Sequence, residues 1–193
     1  MNPKHLIDAV VQPLAEMLRG RHFRGSARRF YRDIGESRAF LEVQASQWNR
    51  DADASFTINL AVFNPEVLRK LGKPVDPPPK TENGCTWHER VGHVTPRNLD
   101  TWWTVRDQSS VGLVSAEVVQ TVEAHAVPWL ESAATYDGLR AILRNTGGVP
   151  AADLLWALGH REDAVACIRI TPQNTSGRVT AVREWLQAHE SAA

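Results

Sequence analysis

The chain has 193 residues, of which 42% are hydrophobic and 23% are charged, a balance that is typical of folded globular proteins and excludes a disordered chain. Its 22 basic and 22 acidic side chains cancel, which excludes a protein that binds nucleic acid with its whole surface. There is no apolar run of about 18 residues, no apolar signal core at the N-terminus, and too few cysteines for a disulfide scaffold. These features predict a cytoplasmic protein with no membrane association.

The first predicted element is a helix that begins at Asn2-Pro3. Asn can cap the free backbone N–H groups, and Pro fits the first helical turn. Pro13 predicts a kink or a break in this helix, because proline lacks the N–H that the helical ladder needs, and Gly20 predicts its end. Apolar residues repeat at helical spacing between these limits: Leu6, Val10, Leu14 and Met17.

From Arg29 the apolar period changes from 3.6 to two, which predicts strands. The clearest strand, Ser55–Phe63, has one apolar face and one polar face, and we expect its apolar face to be buried against the first helix. Residues 73–80 are rich in proline and predict an extended connection. The predicted strands are Arg29–Ile34, Arg38–Trp48, Ser55–Phe63, Cys85–Val94 and Trp102–Arg106, and the apolar face carries Phe56, Ile58, Leu60 and Val62.

Helical periodicity dominates from Ser115 onward. The predicted fold class is α+β: an N-terminal helix packed on an antiparallel sheet of four to five strands, followed by a helical C-terminal tail. We expect a helix-plus-sheet domain over residues 1–131 and a helical appendage over residues 132–193 that docks on it, because the tail carries too many apolar side chains to leave in water. The predicted helices are 116–130, 137–144, 151–158, 162–168 and 176–188.

Several short motifs occur in an order that resembles a known family. They are Arg29-Phe30-Tyr31-Arg32, the segments 44–49 and 55–63, Arg90-Val91-Gly92 and Trp102-Trp103. This series, within Leu6 to Leu130, resembles the bacterial domain of unknown function 4304 family. The resemblance implies an α+β fold and a small bacterial cytosolic protein, and it implies no catalytic residue.

Cys85, His88 and His93 are the candidates for metal binding and for thiol catalysis. On a strand, spacings of three and five place neighbours on opposite faces, and the zinc-protease motif that begins with His88-Glu89 lacks its second histidine. Nothing in the sequence orients His88 as a base for Cys85. We therefore expect no metal site and no cofactor, and an enzyme is the less favoured interpretation.

Arginines crowd residues 19–38, with aromatic side chains between them. Arg24, Arg28, Arg29 and Arg32 could pair with phosphates while the aromatic rings stack on bases, which makes nucleic acid a possible partner. The alternative is a solvated strand face on which these arginines pair with nearby acidic residues.

The polar side chains of the second and third strands predict a continuous polar patch on one sheet face. Because burying amides and a carboxylate without partners costs about 1–3 kcal/mol each, we expect this face to stay open or to line a crevice. The alternative is an ordinary solvated sheet face. The candidate ligand-binding residues are Glu42, Gln44, Trp48 and Asn59, with Tyr31 and Arg90 as neighbours.

Three functions remain open from the sequence. The leading hypothesis is a non-enzymatic binding or interaction protein with an unidentified protein partner, for example a toxin antagonist or an accessory binder. The first alternative is a nucleic-acid-binding protein that uses residues 19–38. The second alternative is a small-molecule enzyme that uses the polar sheet face.

Overall fold

The computed structural model describes residues 3–49 and 54–190, and the chain divides into two compact units. Unit 1 comprises Met1–Pro65 and Asp76–Ala134, and unit 2 comprises Glu66–Val75 and Thr135–Ala193. The expectation that residues 132–193 dock on the helix-plus-sheet domain stays a prediction.

Unit 1 contains the N-terminal helix and the sheet, as the α+β prediction requires. Its helices are α1 (Pro3–Gly20), α3 (Val111–Thr121) and α4 (Val127–Ala133), and the short helix α2 (Pro65–Lys70) begins at its boundary. Its strands are β1 (Arg24–Ser26), β2 (Arg29–Ile34), β3 (Ser37–Ala45), β4 (Ala54–Phe63), β5 (Trp87–Arg90) and β6 (Trp103–Val105).

The six strands form one antiparallel sheet. Strands β1 to β5 lie side by side in chain order, and β6 pairs with the first residues of β4. In the central pair, Glu42 lies opposite Asn59 and Gln44 lies opposite Thr57. The predicted antiparallel pairing of these two strands is confirmed.

The core of unit 1 lies between α1, α3, α4 and one face of the sheet. Phe56, Ile58 and Leu60 are buried in the same cluster as the apolar face of α1, and Val62 is also buried, so the predicted core face of β4 is confirmed. Pro13 does not break α1, which runs through it.

Several predicted elements differ from the structure. The second predicted strand ends at Ala45 and not at Trp48, and β1 has no counterpart among the predicted strands. The fourth predicted strand ends at Arg90, because the chain turns there into a 3₁₀ helix, Val91–Val94. The predicted helix 116–130 is interrupted by a π-helical turn, Val122–Ala126, just before Pro128. Because Pro128 cannot donate a backbone hydrogen bond, the regular ladder is disturbed at this position.

Unit 2 is helical. Its helices are α5 (Tyr136–Thr146), α6 (Val149–Ala157), α7 (Arg161–Arg169) and α8 (Ser176–Glu190). Leu139, Leu143 and Leu155 are fully buried, and Asp163 is held by ion pairs with two arginines of α5. Among the described residues, no helix is both long enough and apolar enough to cross a bilayer.

Candidate ligand-binding crevice

A loop covers one half of the polar face of the sheet. Arg38 of β3 donates a hydrogen bond to the Pro79 carbonyl over 3.1 Å. Residues 80–82 continue along this half and line a small cavity of about 40 Å³ with Tyr31 and Phe40. The proline-rich connection therefore ends against the sheet, and Phe40, on the polar face by its register, is buried.

Glu42 lies under the same loop, in the covered half. Its carboxylate accepts a hydrogen bond from Arg29 Nε at 2.7 Å, in an ion pair. Burial raises the pKa of Glu42; Arg29 lowers it, and the neighbouring carboxylate of Glu82 raises it further. The carboxylate is thus committed to contacts within the protein.

The other half of the polar face forms an open crevice of about 510 Å³, a volume in the range of known ligand sites. We call it the Trp48–Trp102 crevice. Its lining combines two indoles, one guanidinium, two primary amides and two hydroxyls. The lining residues are Gln44, Ala45, Ser46, Gln47, Trp48, Ser55, Arg90 and Trp102.

Both indoles of the crevice are exposed. Trp48, in the connection that follows β3, is 75% exposed, and Trp102, just before β6, is 39% exposed. Trp103, the next residue, is 4% exposed and stacks on Phe56 in the core. Large exposed aromatic rings leave apolar area in water, so two of them in one crevice make it a candidate binding surface.

Arg90 is held over Trp102 by two contacts. Its guanidinium carbon lies 5.3 Å from the centre of an indole ring of Trp102, and its Nη1 donates to Asp100 Oδ2 over 2.7 Å. The indole N–H of Trp102 donates to the same carboxylate oxygen over 3.1 Å. Partial burial raises the pKa of Asp100, but the hydrogen bonds from Arg90 and Trp102 outweigh it and leave this pKa below its usual value.

The loop that carries Asp100 and Trp102 is fixed by close backbone packing. A Cβ atom on Gly92 would lie 1.9 Å from the Leu99 carbonyl oxygen and 2.6 Å from the Thr101 nitrogen, so only glycine allows this approach. On the sheet side, Thr57 donates to the Thr101 carbonyl over 2.8 Å. Together these contacts place Trp102 at the rim of the crevice.

The polar floor of the crevice is ordered by hydrogen bonds across β3 and β4. Asn59 Nδ2 donates to Gln44 Oε1 over 2.8 Å. The Ser46 hydroxyl accepts the backbone N–H of Trp48 at 3.2 Å, and the Ser55 hydroxyl lies 2.9 Å from that of Thr104. The floor therefore presents its side chains in defined orientations.

The structure brings together some of the predicted ligand-binding residues and separates others. Gln44, Trp48 and Arg90 line the crevice, and Asn59 supports it through Gln44. Tyr31 and Glu42 lie in the covered half instead. Trp102 and Asp100 were not among the predicted ligand-binding residues. Alternation along the predicted strand Trp102–Arg106 places Trp102 on the face opposite to Trp103, which is the polar face.

The candidate nucleic-acid-binding arginines are mostly paired with acidic residues. Arg28 pairs with Asp8 at 2.8 Å, Arg29 with Glu42, and Arg32 with Glu131 at 2.7 Å. For Arg24, which is exposed, no ion pair is found within residues 3–49 and 54–190. The larger cavity of about 910 Å³, between α1 and the end of β3, includes Arg28 and Arg29 in its lining, so most of its positive charge is compensated.

Cys85 and His88, in the β5 region, each interact with Glu82. Burial, reinforced by the charge of Glu82, raises the pKa of the Cys85 thiol to about 12. His88 Nε2 lies 2.9 Å from the Glu82 carbonyl oxygen. Within the described residues, no three side chains of histidine, cysteine, aspartate or glutamate are grouped to hold a metal ion.

The family model for a domain of unknown function, DUF4304, matches residues 14–132, which is more than half of the chain. The chain belongs to the DUF4304 family. The matched residues of this DUF4304 protein include the whole lining of the Trp48–Trp102 crevice. No curated protein and no solved structure matches the chain. The family's description names no activity, so the functional argument depends on the geometry of the crevice.

Proposed function

We propose that the protein is a non-enzymatic interaction protein that holds a protein partner in the Trp48–Trp102 crevice. The observation that carries the proposal is the exposed indole of Trp48 in one crevice with the guanidinium of Arg90 stacked on Trp102. Tryptophan and arginine are enriched among the residues that dominate binding energy at protein interfaces. The stacked pair is also held in place before binding, which lowers the entropy cost of association.

The chemistry of the lining supports binding rather than catalysis. Its two serines have no histidine or lysine among the described lining residues to act as a base. Asp100, whose pKa is lowered, is ionised at neutral pH and is a poor proton donor. Amides and hydroxyls with ordinary reactivity are suited to recognition.

By analogy with other small bacterial interaction domains, we infer that the partner is a cytoplasmic protein, for example a toxin that this protein antagonises. The paired arginines favour this function over nucleic-acid binding, because Arg28, Arg29 and Arg32 already have carboxylate partners within the protein. Phosphate binding would have to break these pairs.

The test is affinity capture from nuclease-treated lysate of the source organism with four immobilised proteins: wild type, Trp48→Ala, Trp102→Ala and Leu113→Ala. Leu113 is the matched control, since it is 77% exposed and does not line the crevice. We expect one protein to be retained by wild type and Leu113→Ala and lost with both tryptophan variants. Retention by all four proteins, or by none, would contradict the proposal.

A further inference from the structure

The hydrogen-bonding capacity of the crevice is unbalanced, and this imbalance specifies the chemistry of its occupant. Resting on the proposed function, we propose that the segment of the partner that enters the Trp48–Trp102 crevice is a proline-rich stretch in the polyproline II conformation.

The groups that remain available in the crevice are mainly donors. Gln44 Oε1 already accepts from Asn59, so the Gln44 amide offers its NH₂ end to a ligand. The Ser46 oxygen accepts from the Trp48 backbone, which leaves its O–H to donate. Arg90 uses one guanidinium N–H group on Asp100, and no other side-chain hydrogen bond from it is found among the described residues. A guanidinium has five N–H donors and no acceptor.

The acceptors of the lining are fewer than its donors, and part of their capacity is already used. Asp100 Oδ2 receives hydrogen bonds from both Arg90 and Trp102. The hydroxyls of Ser55 and Thr104 bind each other. Gln47 keeps a donor and an acceptor, and the oxygens of the two lining serines each keep a lone pair. A ligand that presents acceptors and few donors therefore matches this lining best.

A proline-rich segment meets this requirement. Proline has a backbone carbonyl but no N–H, so a run of prolines is a row of acceptors without donors. Its flat apolar rings match exposed indole faces, and the polyproline II helix is ordered before binding, so little entropy is lost. Aromatic-lined grooves are a recurrent way to bind such segments.

Other ligand classes match the crevice less well. Each sugar hydroxyl brings one donor with its two acceptor lone pairs, so several hydroxyls compete for the few acceptors of this lining, and each donor left unpaired costs about 1–3 kcal/mol. A phosphate has acceptors only, but the positive charge of Arg90 is already compensated by Asp100 at 2.7 Å. The uncharged acceptors of a proline-rich peptide need no excess positive charge.

The probe is synthetic decaproline, titrated into the full chain while the indole N–H signals are followed by NMR. We expect the indole N–H signals of Trp48 and Trp102 to shift saturably in wild type. In Trp48→Ala and in Trp102→Ala, the remaining one of these two signals should not shift. We expect at least a tenfold loss of affinity in each variant and no change in Leu113→Ala. A Gly-Ser peptide of equal length, which carries backbone N–H donors and no rings, should cause no shifts.

The outcomes separate this inference from the function on which it rests. If decaproline causes no shifts at millimolar concentration while the lysate partner is still captured in a Trp102-dependent way, the proline-rich chemistry is wrong and the interaction function stands. If decaproline binds equally to wild type and Trp102→Ala, the inference is also overturned. If deletion of a proline-rich segment from the captured partner abolishes its binding, the inference is supported.

Discussion

Asn59 donates its side-chain amide to Gln44 over 2.8 Å, and this one hydrogen bond sets which end of the Gln44 amide a ligand meets. Asn59 on β4 lies opposite Glu42, and Gln44 on β3 lies opposite Thr57. Asn59 and Gln44 are therefore diagonal neighbours on the same face of the sheet. Such diagonal pairs are within reach of long side chains. The register of the sheet thereby helps to determine the chemistry of the crevice.

Replacing Asn59 tests this orientation. An aspartate at position 59 would accept from the Gln44 NH₂ and turn the Gln44 oxygen toward the crevice. We expect Asn59→Asp to weaken decaproline binding about tenfold. The Gln44 oxygen would then face a proline carbonyl, and two acceptors that meet without a donor cost about 1–3 kcal/mol. Asn59→Ala, which leaves the Gln44 amide free to rotate, should have a smaller effect. Equal affinities for the two variants, measured by NMR titration, would contradict the assigned orientation.

Gly92 is predicted to be essential for the position of Trp102. An alanine there meets the Leu99 carbonyl at 1.9 Å, so the loop must move. We expect Gly92→Ala to destabilise the protein by about 1–3 kcal/mol and to abolish decaproline binding. Gly112→Ala is the control, because a Cβ at Gly112 has no neighbour within 4 Å. Urea unfolding and the NMR titration measure the two effects; equal behaviour of both variants would refute this role of Gly92.

Trp48 is predicted to serve binding and not stability. Because its ring is 75% exposed, Trp48→Ala should change the free energy of unfolding by less than about 0.5 kcal/mol. Phe56 is fully buried and stacks on Trp103 with ring centres 5.6 Å apart, so Phe56→Ala should cost about 3–5 kcal/mol. Urea unfolding gives both values. A large loss of stability in Trp48→Ala would mean that this indole is part of the fold.

Glu42 should make the protein less stable as the pH rises. Its pKa is raised above the ordinary value of 4.5, so the folded state holds this proton more tightly than the unfolded state. The free energy of unfolding should therefore fall as the pH rises through 4.5 and past the raised pKa of the folded protein. Glu89, whose pKa burial also raises, should contribute in the same direction.

The variant Glu42→Gln should flatten this decline, because a glutamine does not titrate. Glu117→Gln, at an exposed position on α3, is the matched control and should keep the wild-type slope. The measurement is urea unfolding across acidic to neutral pH. A slope that is unchanged in Glu42→Gln would show that this carboxyl does not titrate as described.

Cys85 should be unreactive in the folded protein. With a thiol pKa of about 12, only about one molecule in ten thousand carries a thiolate at pH 8, and the thiolate is the reactive form. Burial raises the pKa of Cys167 as well. We expect neither thiol to react with Ellman's reagent until the protein is unfolded. Rapid reaction of one thiol in wild type that is absent in Cys85→Ser would contradict this prediction.

The sheet was predictable because its signal is local. Alternation of apolar and polar residues in 55–63 determines which face of β4 is buried, and the burial of Phe56 and Leu60 agrees with it. The same alternation placed Gln44 and Asn59 on one polar face. Local patterns of this kind depend only on neighbours in the chain.

The shape of the crevice was not predictable from such patterns. The loop at residues 80–82 covers Glu42, and the approach of Leu99 to Gly92 positions Trp102; both depend on contacts between residues distant in sequence. The two adjacent tryptophans show this dependence, since Trp103 is buried in the core whereas Trp102 is exposed at the crevice.

The most direct test of the crevice as a partner-binding surface is photo-cross-linking in cells of the source organism. A benzoylphenylalanine is placed at Gln47, which lines the crevice, or at Leu113, which is exposed but does not line it. Our account predicts one discrete protein adduct from position 47 and none of that mass from position 113. No adduct from position 47, or the same adduct from both positions, would contradict it.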